Sequence, residues 1–72
     1  MADESLIIGD IGFDAGNVYR YLEEQGKKTK ATDIKSELGI STSAVYLALG
    51  WLAREDQVSI YKKGNSVRVD LK

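Results

Sequence analysis

The 72-residue chain contains no cysteine, no histidine and no proline. Without cysteine it cannot form disulfides, and without cysteine and histidine it cannot build a Cys/His zinc site. Small domains bury modest cores and commonly gain stability from disulfides, metals or oligomerisation. Because the first two are removed here, good packing or self-association remains. The composition is thus a first indication of a dimer, and we expect no cofactor and no metal.

Long apolar runs and an excess of basic side chains are also missing. No segment approaches the ~20 apolar residues that cross a bilayer. The N-terminus, MADESLIIGD, lacks the basic start and long apolar stretch of a secretory signal. We therefore expect a soluble cytoplasmic protein with no membrane partner. The formal net charge is −1, whereas a dedicated DNA-binding domain usually has a basic balance or a basic face.

The common catalytic constellations are absent as well. Histidine and cysteine supply the usual acid–base and nucleophilic groups, and the chain has neither. Asp10 and Asp14 lie in a glycine-rich run, GDIGFDAG, that lacks the spacing of a calcium loop and is not a dinucleotide fingerprint. A helix cap and solvated acids explain this run better. We predict that the protein is not an enzyme and binds no small-molecule substrate.

The first predicted helix runs from about Ile11 to Gln25. Its apolar residues recur on one face at Ile11, Ala15, Val18 and Leu22. Asp10 can cap its start, and Gly26 can end it in a left-handed turn. Gly12 and Gly16 each cost this helix roughly 1 kcal/mol against alanine. Either another backbone approaches closely there, or the first turn is frayed or starts late, and the sequence leaves both open.

Two further helices follow a basic connector, KKTK, at positions 27–30. Its last two residues can form a very short strand. The second helix is predicted from about Ala31 to Leu38 and ends at Gly39. A tight turn follows, in which Ile40 is an apolar plug, and Ser41 caps a third helix that runs from about Thr42 to Glu55.

The last segment changes to a period of two, which predicts two strands. The inward apolar residues are Val58, Ile60, Val67, Val69 and Leu71. The connection is KKGN, Lys62 to Asn65. If Gly64 and Asn65 are the central pair of a type II′ turn, Ile60 faces Val69, but if all four residues form the loop, Ile60 faces Val67. Both registers place the same apolar face inward, so the sequence does not choose between them.

Three helices followed by a two-stranded hairpin form the order of a winged helix-turn-helix domain. The second helix, the tight turn and the third helix match the helix-turn-helix, and the hairpin matches the wing. We predict a single domain over residues 1–72 that is mainly α with a small β-hairpin (α+β). Within it we expect residues 1–6 to be flexible.

Two strings in the chain resemble a specific family. AGNVY at 15–19 and ALGWLARED at 48–56 are similar to a family of small stand-alone winged-helix proteins catalogued as a domain of unknown function. The position of Tyr19 is typically tryptophan in that family, a mild departure. The resemblance spans most of the chain and implies the fold, a bacterial or archaeal origin and a DNA-binding-type label. It implies no established activity, so an analogy to transcription regulators rests on the fold alone.

The third helix is apolar where a DNA-reading helix is polar. At about 100° per residue, one face holds the core residues Val45, Ala48, Leu49 and Leu52. The opposite face holds Ser43, Leu47, Gly50 and Arg54, flanked by Tyr46 and Trp51. Leucine and glycine cannot form the paired hydrogen bonds that distinguish bases. Arg54 lies at the C-terminal end of the helix, whereas residues near the N-terminus usually contact bases.

A helix that is apolar nearly all round is normally buried on every side. We predict a homodimer whose interface contains Tyr46, Leu47, Gly50 and Trp51, because aromatic residues around a glycine notch suit an interface between two copies. Two alternatives stay open. The N-terminal segment Leu6–Ile8 can cover this face, or Trp51 can tuck into the base of the wing while Leu47 stays exposed.

Basic side chains cluster away from the apolar face. The candidates for DNA contact are Lys28, Lys30, Ser43, Arg54, Lys62, Lys63 and Arg68. Positive charge suffices for phosphate contacts that do not read sequence, although lysines at a turn and beside an edge strand also simply aid solubility. The leading prediction is therefore a non-enzymatic module that self-associates. The alternatives are a small DNA-binding transcription regulator and a docking domain for another protein.

Overall fold

A computed structural model describes residues 8–72. The helices are α1 (Ile8–Gln25), α2 (Ala31–Leu38) and α3 (Thr42–Arg54). The strands are β1 (Thr29–Lys30), β2 (Val58–Lys63) and β3 (Ser66–Leu71). The expected flexibility of residues 1–6 concerns positions outside the described part. The predicted covering of α3 by the side chains of Leu6–Ile8 lies outside it as well, since only the backbone of Ile8 is described. Within that part, no helix has both the length and the apolar character that a membrane span requires.

Helix α1 begins at Ile8, three residues earlier than predicted. Asp10 therefore lies in the first helical turn and not at the cap, and its carboxylate still favours the positive end of the helix. Within the single chain, neither a late start of the helix nor a nearby backbone explains Gly12 and Gly16. The helix does not start late, and Cβ atoms added at the two glycines would meet only side chains, the Trp51 ring at Gly12 and the Arg20 guanidinium at Gly16, each at 3.8 Å.

The predicted helix ends follow from local chemistry. Gly26 and Gly39 are left-handed, with φ of 63° and 64°, and their N–H groups donate to carbonyl oxygens of the preceding helices. Ser41 caps α3, because its Oγ accepts a hydrogen bond from the Ala44 N–H at 3.0 Å. These three residues confirm the predicted boundaries between the helices.

The hairpin has the tighter of the two possible registers. Gly64 and Asn65 alone connect the strands, and Ile60 pairs with Val69. Gly64 has a φ of 62°, as the first central position of a type II′ turn requires. Strand β1 pairs antiparallel with β3, so the sheet order is β1-β3-β2. The last strand is therefore central, and the short connector strand forms one edge.

The core lies between the three helices and the inner face of this sheet. Its side chains are Ala15, Val18, Leu22, Ala31, Ile34, Val45, Ala48, Leu49, Leu52, Val58 and Val69. The predicted inner face of α3 is thus confirmed. The prediction for Ile60 was wrong, because its side chain is 44 % exposed. Burial falls steadily along β2 from Val58 onward, since the wing extends beyond the helices.

Candidate interaction surfaces

The outer face of α3 is open to solvent in a single chain. Tyr46, Leu47 and Trp51 are 46 %, 45 % and 40 % exposed. Gly50 lies among them, and a Cβ added there would meet nothing within 4 Å. We call these four residues the α3 patch. Its tryptophan ring approaches Gly12 of α1, where Cζ2 would lie 3.8 Å from an added Cβ atom.

Trp51 also borders an open groove between α1 and α3, with a volume of about 430 Å³. The α1 side of this groove is made by Gly12, Ala15, Gly16, Tyr19 and Arg20, and Gln57 lines it near the start of the wing. Gly12 and Gly16 offer only backbone to this groove, whereas the other three α1 residues contribute side chains. The α3 patch is therefore continuous, through Trp51, with a concave surface on α1.

Phe13 is a surface residue that the sequence analysis missed. Its side chain is 71 % exposed, more than any other large apolar side chain in residues 9–72. On a helical wheel it shares one face with Gly9, Gly16 and Arg20, opposite the buried face of α1. The sequence could have revealed it, because Phe13 falls outside the helical spacing of the core residues of α1. We call these four residues the outer α1 face.

The basic connector and the wing meet on the outer side of the sheet. Lys30, Arg68 and Tyr61 form one row across β1, β3 and β2. Lys28 Nζ lies 4.2 Å from the centroid of the Tyr61 ring, a cation–π contact. Lys63 is two residues beyond Tyr61 on β2 and therefore shares its face. We call these five residues the basic sheet face.

Within residues 8–72, the basic sheet face contains one unfavourable pair of charges and one buried donor without a partner. Lys30 lies directly opposite Arg68, and like charges in that position destabilise a sheet. The Nε of Arg68 is buried and has no hydrogen-bond partner among the described residues. Arg68 lies on the outer side of the last strand and is only half-exposed, because β3 is the central strand and has neighbours on both sides.

The other candidates for DNA contact lie apart from this face. Lys62 alternates to the opposite side of β2, and Arg54 is exposed at the end of α3. Ser43 lines a groove that also contains Asp10 and Asp14, whose carboxylates would repel phosphate. The structure therefore brings together four of the seven predicted cationic or polar candidates.

The side of the molecule between α1 and α2 is acidic. Burial raises the pKa of the Tyr21 hydroxyl, and the carboxylates of Glu37, Asp33 and Glu24 raise it further. The phenol therefore stays neutral beyond its ordinary range, and this side disfavours an anionic partner. No group of three or more acidic side chains within residues 8–72 is arranged to hold a metal ion.

Sequence comparison identifies relatives over nearly the whole chain. A family model described as a winged helix-turn-helix domain (DUF2582) matches residues 1–71. The chain is 35 % identical over 65 residues to an uncharacterized protein, MJ1608, of Methanocaldococcus jannaschii, which covers 89 % of this chain and 93 % of that protein.

Solved structures are similar to this fold as well. A chain from a study of the DNA recognition and protein interaction domains of HOP2 has a TM-score of 0.72 and 28 % identity, with 82 % of this chain and 98 % of that chain covered. HlyU of Vibrio cholerae N16961 has a TM-score of 0.66 and 21 % identity, and the match covers 89 % of this chain and 74 % of the HlyU chain. These similarities confirm the winged helix-turn-helix fold that the element order predicted.

Proposed function

The chain belongs to the winged helix-turn-helix domain family DUF2582, and from that premise we propose that it is a non-enzymatic module that pairs with a second copy of itself through the α3 patch. One observation carries the proposal. The helix that enters the major groove in DNA-binding members of this fold exposes Tyr46, Leu47 and Trp51 here. An apolar, uncharged patch of this kind favours a protein partner over a phosphate backbone.

A second copy is a suitable partner because a two-fold axis brings the same patch together from both chains. The notch at Gly50 offers space for a side chain of the partner, since nothing lies within 4 Å of an added Cβ. Aromatic side chains around such a notch are the type that contributes most to binding. Apolar association also fits a chain with no disulfide or Cys/His zinc site.

We expect light scattering to give twice the 7.9 kDa mass of one chain at the upper end of a hundredfold concentration range. The mass should be retained at high salt, because apolar contacts are not screened as ionic contacts are. A mass of one chain at every concentration would contradict the proposal. Dissociation by salt alone would point to charged surfaces instead of the α3 patch.

The basic sheet face supports a second candidate function, phosphate-backbone binding by a small DNA-binding regulator. The supporting observation is the row of Lys30 opposite Arg68, which an anion would stabilise by balancing two facing cations. The 28 % identity to a chain of HOP2, described in terms of DNA recognition and protein interaction, is compatible with it. This binding would not read sequence, because the contacts reach phosphates only.

If this candidate is right, duplex binding should weaken steeply with salt. About four phosphate contacts predict a loss of roughly a hundredfold between about 50 and 200 mM salt. Lys30→Glu should abolish most of the binding, whereas Lys35→Glu, on the exposed side of α2, makes the same charge change away from the sheet. Fluorescence anisotropy with a labelled duplex measures both variants. Absence of binding at low salt, or equal losses for the two variants, would eliminate the basic sheet face.

A further inference from the structure

The α3 patch alone is too small for a stable dimer. A standard interface buries about 800 Å² on each partner. A large aromatic side chain buries about 150–250 Å² when it is fully covered. Because the three large side chains of the patch are already more than half buried, they offer roughly 300 Å² together. A dimer built on this patch must therefore use neighbouring surface.

The outer α1 face adjoins the α3 patch and carries the exposed Phe13. Phe13 projects from it with most of its side chain exposed, and the groove over Gly12 and Gly16 lies on the adjoining side of the same helix. Trp51 forms the far wall of that groove, which makes the α3 patch and the outer α1 face one continuous surface. The helix thus carries a bulky projection and a cavity within one turn of each other.

We propose that two copies of α1 pack antiparallel about a two-fold axis, with Phe13 of each chain seated over the other chain's Gly16 and against its Trp51. The inference rests on the proposed self-association and specifies where it occurs. It also accounts for glycines that weaken α1 without any backbone of the same chain lying near them. The close approach that such glycines permit is made by the second copy.

Charge complementarity selects the antiparallel arrangement. With Phe13 opposite the partner's Gly16, Arg20 lies next to the first turn of the partner helix, which contains Asp10. The two-fold axis repeats this pair of Arg20 and Asp10, so opposite charges meet at both ends of the helix contact. A parallel arrangement would instead place Phe13 on Phe13 and Arg20 on Arg20, leaving the groove empty and two like charges together.

Phe13→Glu tests the projection. Because Phe13 is exposed in the single chain, the variant should fold normally by circular dichroism, while the dimer dissociation constant rises roughly thirtyfold or more. Phe13→Leu is the matched control and should stay close to the wild type. Unchanged association of Phe13→Glu in sedimentation velocity would overturn the arrangement.

Gly16→Leu tests the groove independently. An added Cβ at Gly16 meets only the flexible Arg20 guanidinium, at 3.8 Å, so the single chain accommodates the larger residue. Leucine also favours a helix over glycine. The variant should therefore lose about tenfold or more in dimer affinity without a lower unfolding temperature in dilute solution. Ser36→Leu adds an exposed leucine on α2 and should not change association.

The outcomes separate this inference from the proposed function. A wild-type protein that is monomeric at every concentration overturns both. A dimer that Leu47→Glu disrupts, but that neither Phe13→Glu nor Gly16→Leu affects, overturns the α1 arrangement and leaves the α3 patch as the interface. Weakened dimers for both α1 variants, with Phe13→Leu and Ser36→Leu unaffected, support the inference.

Discussion

Leu47→Glu is expected to leave the chain folded and to weaken its self-association by at least about a hundredfold. Leu47 is exposed in the single chain, so the carboxylate costs the monomer little. In a two-fold dimer the substitution occurs twice, and two carboxylates enter one apolar interface. Each carboxylate loses hydration there without gaining a partner, and the two repel each other.

The charge of the new side chain can be separated from its shape. Leu47→Gln introduces a side chain of the same shape as glutamate but without its charge, and should weaken the dimer less than Leu47→Glu does. Lys62→Glu makes a larger charge change on the exposed wing, away from the patch, and should leave the dimer intact. Light scattering at matched concentrations measures all three variants. Equal masses for Leu47→Glu and the wild type would remove Leu47 from any interface.

Acidification gives a further check on Leu47→Glu. A glutamate ordinarily titrates near about 4.3. Burial in the dimer disfavours the charged form, so protonation should restore association as the pH falls towards that value. The wild type gains no such recovery, because none of the four patch residues carries a carboxylate. Recovery of the variant alone would identify the carboxylate charge as the cause of dissociation.

The fold could be predicted because its boundaries depend on local chemistry. Gly26, Gly39 and Ser41 end or begin helices through backbone freedom and a side-chain cap, which act within a few residues. The hairpin register was left open, because both registers bury the same face. Exposure of Ile60 was missed, because it depends on how far the wing extends beyond the helices.

The candidate surfaces that lie on one helix could be predicted, whereas those formed by several elements could not. The α3 patch was found because a helical wheel separates inner and outer faces of one helix. The row of Lys30, Arg68 and Tyr61 was not found, since it requires a strand near position 30 to pair with one near position 68. The orientation of Trp51 towards α1 likewise depends on the crossing of two helices, which periodicity within either helix does not contain.

Leu49→Ala should lower the free energy of unfolding by about 2–5 kcal/mol, because it opens a cavity in the core. Leu49 is 1 % exposed and lies two positions from Leu47 on the same helix, facing the opposite way. A domain of this size has a margin of only about 4–11 kcal/mol, so the variant should be partly unfolded under mild denaturing conditions. Urea titration followed by circular dichroism measures the loss.

Leu47→Ala removes the same atoms from the outer face, and its effect should depend on protein concentration. In dilute solution, where single chains dominate, we expect almost no loss of stability. At high concentration the loss should grow, because dimer formation stabilises the folded state by mass action and the variant weakens the dimer. The Leu49→Ala loss should be similar at both concentrations, since Leu49 packs within one chain. If the Leu47→Ala loss were also independent of concentration, Leu47 would act within the single chain and the α3 patch would have no partner copy.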